Sequence, residues 1–269
     1  KAELTVLDVR ALDAKKNTRR FFSSLQDVTY DAMSDTLSRH GHVVVYAARR
    51  GIAPMTVCND CGTPIVDKAT NTPMVLHKTP RGNVFMSHRS GAVESAERAC
   101  AVCGGWNLVS LGIGVDRVYD EIVKHFPKAP CITFTQDSVP THKVAVQKIS
   151  EFTKTPGSII IGTERMVPYL PHVALTVVAS IDSILSLPAW RAEEHALSIL
   201  HALVERTDEH VIIETRRPES RVMKSITSSP LDFLRDELKE RHAFGYPPYK
   251  VFIGLTWEGT DAHCAERKN

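Results

Sequence analysis

Short runs of uninterrupted apolar residues alternate along this chain with longer stretches in which apolar positions return every three or four residues. The stretch "VTYDAMSDTLSRHG" (28–41) has the second rhythm and stops at Gly41, and "HVVVYAA" (42–48) then runs as a buried strand would. Val115, Val118, Tyr119, Ile122, Val123 and Phe126 share a helical face that Pro127 closes, and "CITFT" (131–135) follows as a strand. Val146, Ile149 and Phe152 mark another helix, the turn "TPGS" (155–158) ends it, and "IIIGT" (159–163) resumes the strand pattern. "VALTVVASI" (173–181) is the next strand; Ala196, Ile199, Leu200, Leu203 and Val204 give a further helix before "VIIET" (211–215). Strands that are apolar at every position need cover on both faces, and alternating helices supply it. The pattern predicts an α/β domain with a parallel sheet.

Residues 52–110 break that rhythm. They are rich in Gly, Pro, Thr, Asn and Ser, show no helical spacing, and contain "CNDCG" (58–62) and "CAVCGG" (100–105), so they read as an insertion. A loop-rich segment of this size does not bury enough apolar area to order itself. Cys-x-x-Cys presents two thiolates from one tight turn, and two such turns complete a tetrahedral shell. Cys58, Cys61, Cys100 and Cys103 are therefore read as the ligands of one structural zinc ion, with no position left open for catalysis. Two other readings stay open at this point: a redox pair, which would sit at a helix N-terminus, and a pair of disulfides, which needs an oxidising compartment. Cys131 lies inside an apolar strand and reads as core, whereas Cys264 carries no readable role.

Composition changes the picture little. The 269 residues, 43% apolar and 24% charged, suffice for one large domain or two modest ones with a buried core. The longest apolar runs are too short to cross a bilayer. No secretory pattern opens the chain and its first residue is Lys, so a preceding segment is expected. A net charge of +2 gives no electrostatic reason to expect nucleic acid or a membrane. The doublets Arg19-Arg20, Arg49-Arg50 and Arg216-Arg217 are expected on a solvated surface.

Three longer segments carry a resemblance. "AARRGIAPMTVCNDCG" (47–62), "MVLHKTPRGNVFMSHRSG" (74–91) and "CAVCGGWNLVSLGIGVDRVYDEI" (100–122) resemble the PriA replication-restart helicase family, primosomal protein N′. The likeness continues through "IIIGTERM" (159–166), "LPAWRAEE" (187–194) and "FLRDELKERHAFGYPPY" (233–249), which is nearly the whole chain. It implies a RecA-like (P-loop NTPase-type) helicase lobe 2 interrupted by a zinc-binding subdomain. The implied division is residues 1–51 and 111–225 for the lobe, 52–110 for the zinc-binding insertion, and 226–269 for the start of a C-terminal domain. That last segment opens with a helix capped by Ser229 and Pro230 and closed at Gly245, then "YPPY" and a strand over 250–257.

The departures from the family pattern matter as much. The family carries four cysteine pairs and two zinc ions; here the outer pairs persist, while the inner ones align on Asp67/Thr70 and Ser87/Ser90. Hydroxyls are poor zinc ligands beside thiolates. One ion is thus expected, with Asp67, His77 and His88 as the residues that would have to rescue a second site. Lobe two of such a motor supplies arginines to the γ-phosphate. The family's Gln-x-x-Gly-Arg-x-Gly-Arg pattern aligns on 202–209, where Arg206 alone remains and the final arginine is Glu209. The segment "GTERMVPYLPHV" (162–173) lacks the family's lysine–glycine step.

Gly162, Thr163 and Arg206 are accordingly the degenerate nucleotide positions, Arg206 is a weak candidate for an arginine finger, and ATP is not expected as a working cofactor. No G-x-x-x-x-G-K-[ST] occurs in the chain, and Gly112-Ile113-Gly114 lacks the rest of a phosphate fingerprint. Asp182 is expected to cap a turn, and Trp190 to cover the following helix or to stack on DNA. The resemblance implies a cytoplasmic, nucleoid-associated bacterial protein that binds forked DNA, other primosome components and single-strand-binding protein. Two alternatives are the second lobe of an active 3′–5′ helicase whose first lobe lies outside this chain, and an unrelated zinc-stapled interaction module.

Overall fold

The structure is a computed structural model that describes residues 2–10, 24–47, 55–58, 60–69, 73–79, 82–87, 90–111, 114–179, 181–185, 187, 189–251 and 253. In chain order, β1 (Glu3–Asp8) precedes α1 (Asp27–Ser38), which leads into β2 (Val43–Tyr46). The chain then passes through β3 (Met55–Cys58), β4 (Val75–Thr79), β5 (Gly82–Met86), β6 (Val93–Ser95) and β7 (Leu108–Leu111). After these come α2 (Val115–His125), β8 (Cys131–Phe134), α3 (His142–Lys154), β9 (Ile159–Gly162) and a 3-10 helix (Glu164–Tyr169). The sequence of elements continues with β10 (Val173–Val178), α4 (Asp182–Leu185), α5 (Ala192–Glu205), β11 (Thr207–Thr215), α6 (Arg221–Thr227) and α7 (Pro230–Phe244). Two compact units result, Lys1–Ser228 and Ser229–Asn269.

Six strands form one all-parallel sheet in the order β1-β11-β10-β2-β9-β8. Val43, Val44 and Val45 of the inner strand β2 are all fully buried, so both faces of that strand are covered. Alternate residues Val43, Val45, Ile159, Ile161, Leu175 and Val177 share one cluster with Tyr30 and Met33 of α1 and Val115, Val118 and Ile122 of α2. α3 lies against β8, and α5 against β11. This is the helix-flanked α/β arrangement of a RecA-like lobe, as the apolar runs require. Gly41 does not supply the left-handed turn after α1. His40 does, at φ 60°, and a Cβ at Gly41 would lie 2.8 Å from Thr36 Cγ2, so close packing is what excludes a side chain there.

Between β2 and α2 the chain leaves the sheet. β3 and β7 pair antiparallel, and β4, β5 and β6 form a separate antiparallel sheet. Its apolar centre is small: Ile65, Met74 and Phe85, with Leu76, Ala96 and Leu108 partly buried around them. In the second unit, the Ser229 hydroxyl accepts from Leu231 N to cap α7, and Gly245 closes the helix with φ 67°. The strand expected over 250–257 falls mostly outside the described residues.

Candidate metal centre

Two turns built alike bring four thiols together. In the first, Gly62 N donates to Cys58 O (2.8 Å) and Cys58 N to Thr63 O (2.8 Å); in the second, Gly104 N donates to Cys100 O (2.9 Å) and Cys100 N to Gly105 O (2.7 Å). Each reverses on a left-handed glycine, Gly62 at φ 72° and Gly104 at φ 74°. A Cβ at Gly105 would lie 2.1 Å from Asp60 Oδ2, so the exposed Asp60 side chain would have to turn aside. The antiparallel pairing of Cys58 with Leu108 draws the ends of the insertion together and sets one turn against the other.

Across the pair of turns, Cys58 Sγ lies 3.5 Å from Cys103 Sγ, and Cys61 Sγ lies 3.6 Å from Cys100 Sγ. All four sulfurs lie within 4.8 Å of one another. A tetrahedron of sulfurs with bonds of about 2.3 Å to a central ion has edges of about 3.8 Å, close to these spacings. A disulfide would need about 2.05 Å, and the four cysteines are free thiols. Backbone N–H groups point at the sulfurs as well: those of Asp60 and Cys61 at Cys58, that of Thr63 at Cys61, and that of Gly105 at Cys103. Val102 N donates to Cys100 Sγ at 3.5 Å. Burial pushes the Cys58 thiol up to about 12. Burial also raises Cys61, but the hydroxyl and backbone N–H of Thr63 and the neighbouring thiols outweigh it and bring that thiol down to about 7. Such a split is what a sulfur cluster produces when one member ionises first and the others donate to it. Four thiolates screened by N–H donors can hold a soft divalent metal ion.

The first turn is moored to the large sheet. Arg216, just beyond β11, donates from Nη1 to Gly62 O at 3.1 Å. Arg216 and Arg217 are each only 3% exposed, so this doublet is not the solvated surface that its charge suggests. The buried carboxylate of Asp182 lies beside the doublet: it accepts from Thr215 Oγ1 (2.7 Å) and the backbone N of Arg216 (2.8 Å) and interacts electrostatically with both arginines. Burial raises the Asp182 carboxyl above its ordinary value, opposed by those two hydrogen bonds and by the charges of Arg217 and Arg216. Asp182 thus caps a turn, and Arg216 is the residue that sequence reasoning missed. An arginine directly after a strand ending in Thr215 was the available signal.

The nucleotide positions do not converge. Gly162 and Thr163 lie at the C-terminal end of β9, in register with Tyr46, Val178 and Ile213. Arg206 caps the C-terminus of α5, one residue before β11 begins. Ile213 lies seven positions beyond Arg206, which at about 3.3 Å per position puts the two ends about 23 Å apart. The Arg206 guanidinium donates to Leu170 O, and Glu209 pairs with Arg39 (Oε2 to Nη2, 3.0 Å). Trp190 is half-buried, with the Arg191 guanidinium 5.6 Å from its ring centroid. Cys131 sits half-buried on the edge strand β8, where burial raises its thiol. At the positions of a second metal, Asp67, Ser87 and Ser90 share one hydrogen-bonded cluster in which Asp67 and Ser87 are buried and Ser90 is exposed. His77 pairs with Val84 in the β4–β5 ladder. Thr70, His88, Gly112, Ile113, Cys264 and the doublets at 19–20 and 49–50 lie outside the described residues.

No family model matches the chain. Curated relatives do. It is 24% identical over 227 residues to the "Replication restart protein PriA" of Haemophilus influenzae, covering 81% of this chain and 31% of that protein. With the protein of the same name from Bacillus subtilis it shares 25% identity over 262 residues, 94% of this chain and 32% of the relative. The Synechocystis protein so named is 23% identical over 273 residues, 97% of this chain and 32% of the relative. The chain therefore spans about a third of the length of these relatives.

Proposed function

Because the chain belongs to the PriA replication-restart family, we propose that it acts in replication restart as a DNA-facing assembly platform with no ATP-driven unwinding of its own. In this reading the lobe carries one structural zinc ion on Cys58, Cys61, Cys100 and Cys103. Bound there, zinc cross-links the two turns and neutralises the thiolates without redox or catalytic chemistry. The partners are forked DNA, other primosome components and single-strand-binding protein, met in the bacterial cytoplasm at the nucleoid. No helix among the described residues is long and apolar enough to cross a membrane.

The observation that carries the loss of ATP chemistry is the fate of the charged side chains at 206 and 209. A lobe that stabilises a γ-phosphate needs free guanidinium groups facing the nucleotide, and losing one such arginine costs on the order of 10³-fold in turnover. Arg206 is committed to the Leu170 carbonyl, and the carboxylate of Glu209 holds Arg39. Both lie at the end of the sheet opposite Gly162 and Thr163.

The test is ATP turnover by the protein in its full native length, with and without forked DNA, beside fork binding across a salt series. The reading expects no fork-stimulated turnover, and binding that weakens steeply with salt by about 0.9 log units per log unit of salt for each phosphate contacted. Fork-stimulated hydrolysis would replace it with that of an active helicase. Nanomolar binding indifferent to salt would refute the weak, phosphate-borne contact expected of this lobe.

A further inference from the structure

The insertion contains a third turn of the same build, and it carries no sulfur. Gly91 N donates to Ser87 O (2.9 Å) and Ser87 N to Ala92 O (2.8 Å), and Gly91 is left-handed at φ 76°. These are the bonds and the glycine conformation of the two cysteine turns. The side-chain acceptors correspond too. Ser90 N donates to Ser87 Oγ (3.3 Å), as Cys61 N does to Cys58 Sγ; Ala92 N donates to Ser90 Oγ (3.2 Å), as Thr63 N does to Cys61 Sγ. Both hydroxyls then point at one carboxylate oxygen: Ser87 Oγ donates to Asp67 Oδ2 at 2.9 Å and Ser90 Oγ at 2.6 Å. Asp67 Oδ1 accepts from Ala69 N at 3.0 Å. The bridge Val66–Pro73 brackets Asp67 as Val57–Pro64 brackets Cys58.

We propose that Asp67, Ser87 and Ser90 form a metal-free counterpart of the cysteine centre, in which a buried carboxylate does the cross-linking that an ion does between thiolates. Asp67 is 4% exposed and Ser87 not at all, so the bond between them is shielded from water, while Ser90 donates from the exposed rim of the cluster. Hydroxyl oxygens that already donate to a carboxylate and accept from backbone N–H have no role left for a soft cation. The insertion is then held at two poles by different chemistry. One depends on metal and thiolate; the other depends on neither, and becomes a soft-metal site only if its oxygens are replaced by sulfur.

The experiment combines cobalt(II) titration, read by sulfur-to-cobalt charge-transfer absorption, with thermal melting of the full chain. The unsubstituted chain is expected to take up one equivalent. D67A should still take up one, while its melting temperature falls by roughly 5 °C, because the buried Ser87 hydroxyl and the more exposed Ser90 hydroxyl lose their shared acceptor. S87A/S90A added to D67A should then cost less than S87A/S90A alone, since it removes the stranded donors. D67C/S87C/S90C should take up a second equivalent. The proposal is overturned if the unsubstituted chain binds two equivalents, if D67A loses one, if the serine and aspartate effects simply add, or if the triple cysteine variant gains none. A chain that binds no cobalt at all would instead sink the zinc reading of Cys58, Cys61, Cys100 and Cys103, leaving the melting arms to judge Asp67.

Discussion

Removing the metal should unfold the insertion and leave the sheet standing. Among the described residues, the apolar centre of the insertion is three buried side chains, Ile65, Met74 and Phe85, worth on the order of 5–9 kcal/mol together at about 1.5–3 kcal/mol each. A structural zinc on thiolate turns is worth about 10–16 kcal/mol in isolated peptides, so the ion outweighs the apolar centre. The six-stranded sheet has its own core, centred on Val43, Val45, Ile159, Ile161, Leu175 and Val177, and the described members of that cluster do not include the four cysteines. The assay is hydrogen exchange with and without a strong chelator. The amides of Cys58, Gly62, Cys100 and Gly104, bonded within the turns, should lose protection by several orders of magnitude. Those of Val43–Tyr46 and Val173–Val178 should change by less than about tenfold. Simultaneous loss in both regions would refute the separation of cores, and unchanged exchange in the turns would refute the metal's structural part.

Three further outcomes follow from particular contacts. R216A removes the donor to Gly62 O and should cost about 2 kcal/mol in denaturant unfolding, while R216K, which keeps a donor but not the planar group, should recover part of it. G62A forces a side chain onto a left-handed residue at φ 72°, with its Cβ 2.8 Å from Arg216 Nη1; expect a loss of at least about 1–2 kcal/mol and a cobalt spectrum altered in its d–d bands. The third outcome is a pH dependence. Burial raises the folded carboxyl of Asp182 above 3.8, so the folded state holds that proton more tightly than the unfolded chain does. The stability from this group is therefore present at low pH and lost as pH rises from 3.8 through the raised value, and the margin of wild type over D182N should widen on acidification through that window. A margin constant with pH would contradict it.

How much of this was readable in the sequence depended on burial. β2, β9 and β10 were legible because strands covered on both faces must be nearly continuous apolar runs, and Val43–Tyr46, Ile159–Gly162 and Val173–Val178 are, with Thr176 of β10 the one polar side chain, hydrogen-bonded to Thr207. β1 escaped notice because it is an edge strand with half-exposed residues, which leaves "ELTVLD" with no continuous run. The short strands of the insertion were hidden for a related reason: a sheet whose described residues form so small an apolar cluster writes almost no periodicity. The cysteine turns were legible because their spacing encodes the geometry directly. The Arg216-Arg217 doublet misled because charge argues for solvent, and only the folded chain brings the Asp182 carboxylate and the Gly62 carbonyl to it. The resemblance did place Asp67, Ser87 and Ser90 at the inner ligand positions, but nothing in their spacing says that one carboxylate oxygen would accept from both hydroxyls.

X-ray absorption at the zinc edge on the purified chain tests the four-thiolate centre most directly. Four sulfur scatterers at about 2.3 Å and no nitrogen or oxygen in the inner shell are the predicted result. A shell containing nitrogen or oxygen, or a chain free of metal whose cysteines are oxidised in pairs, would contradict it.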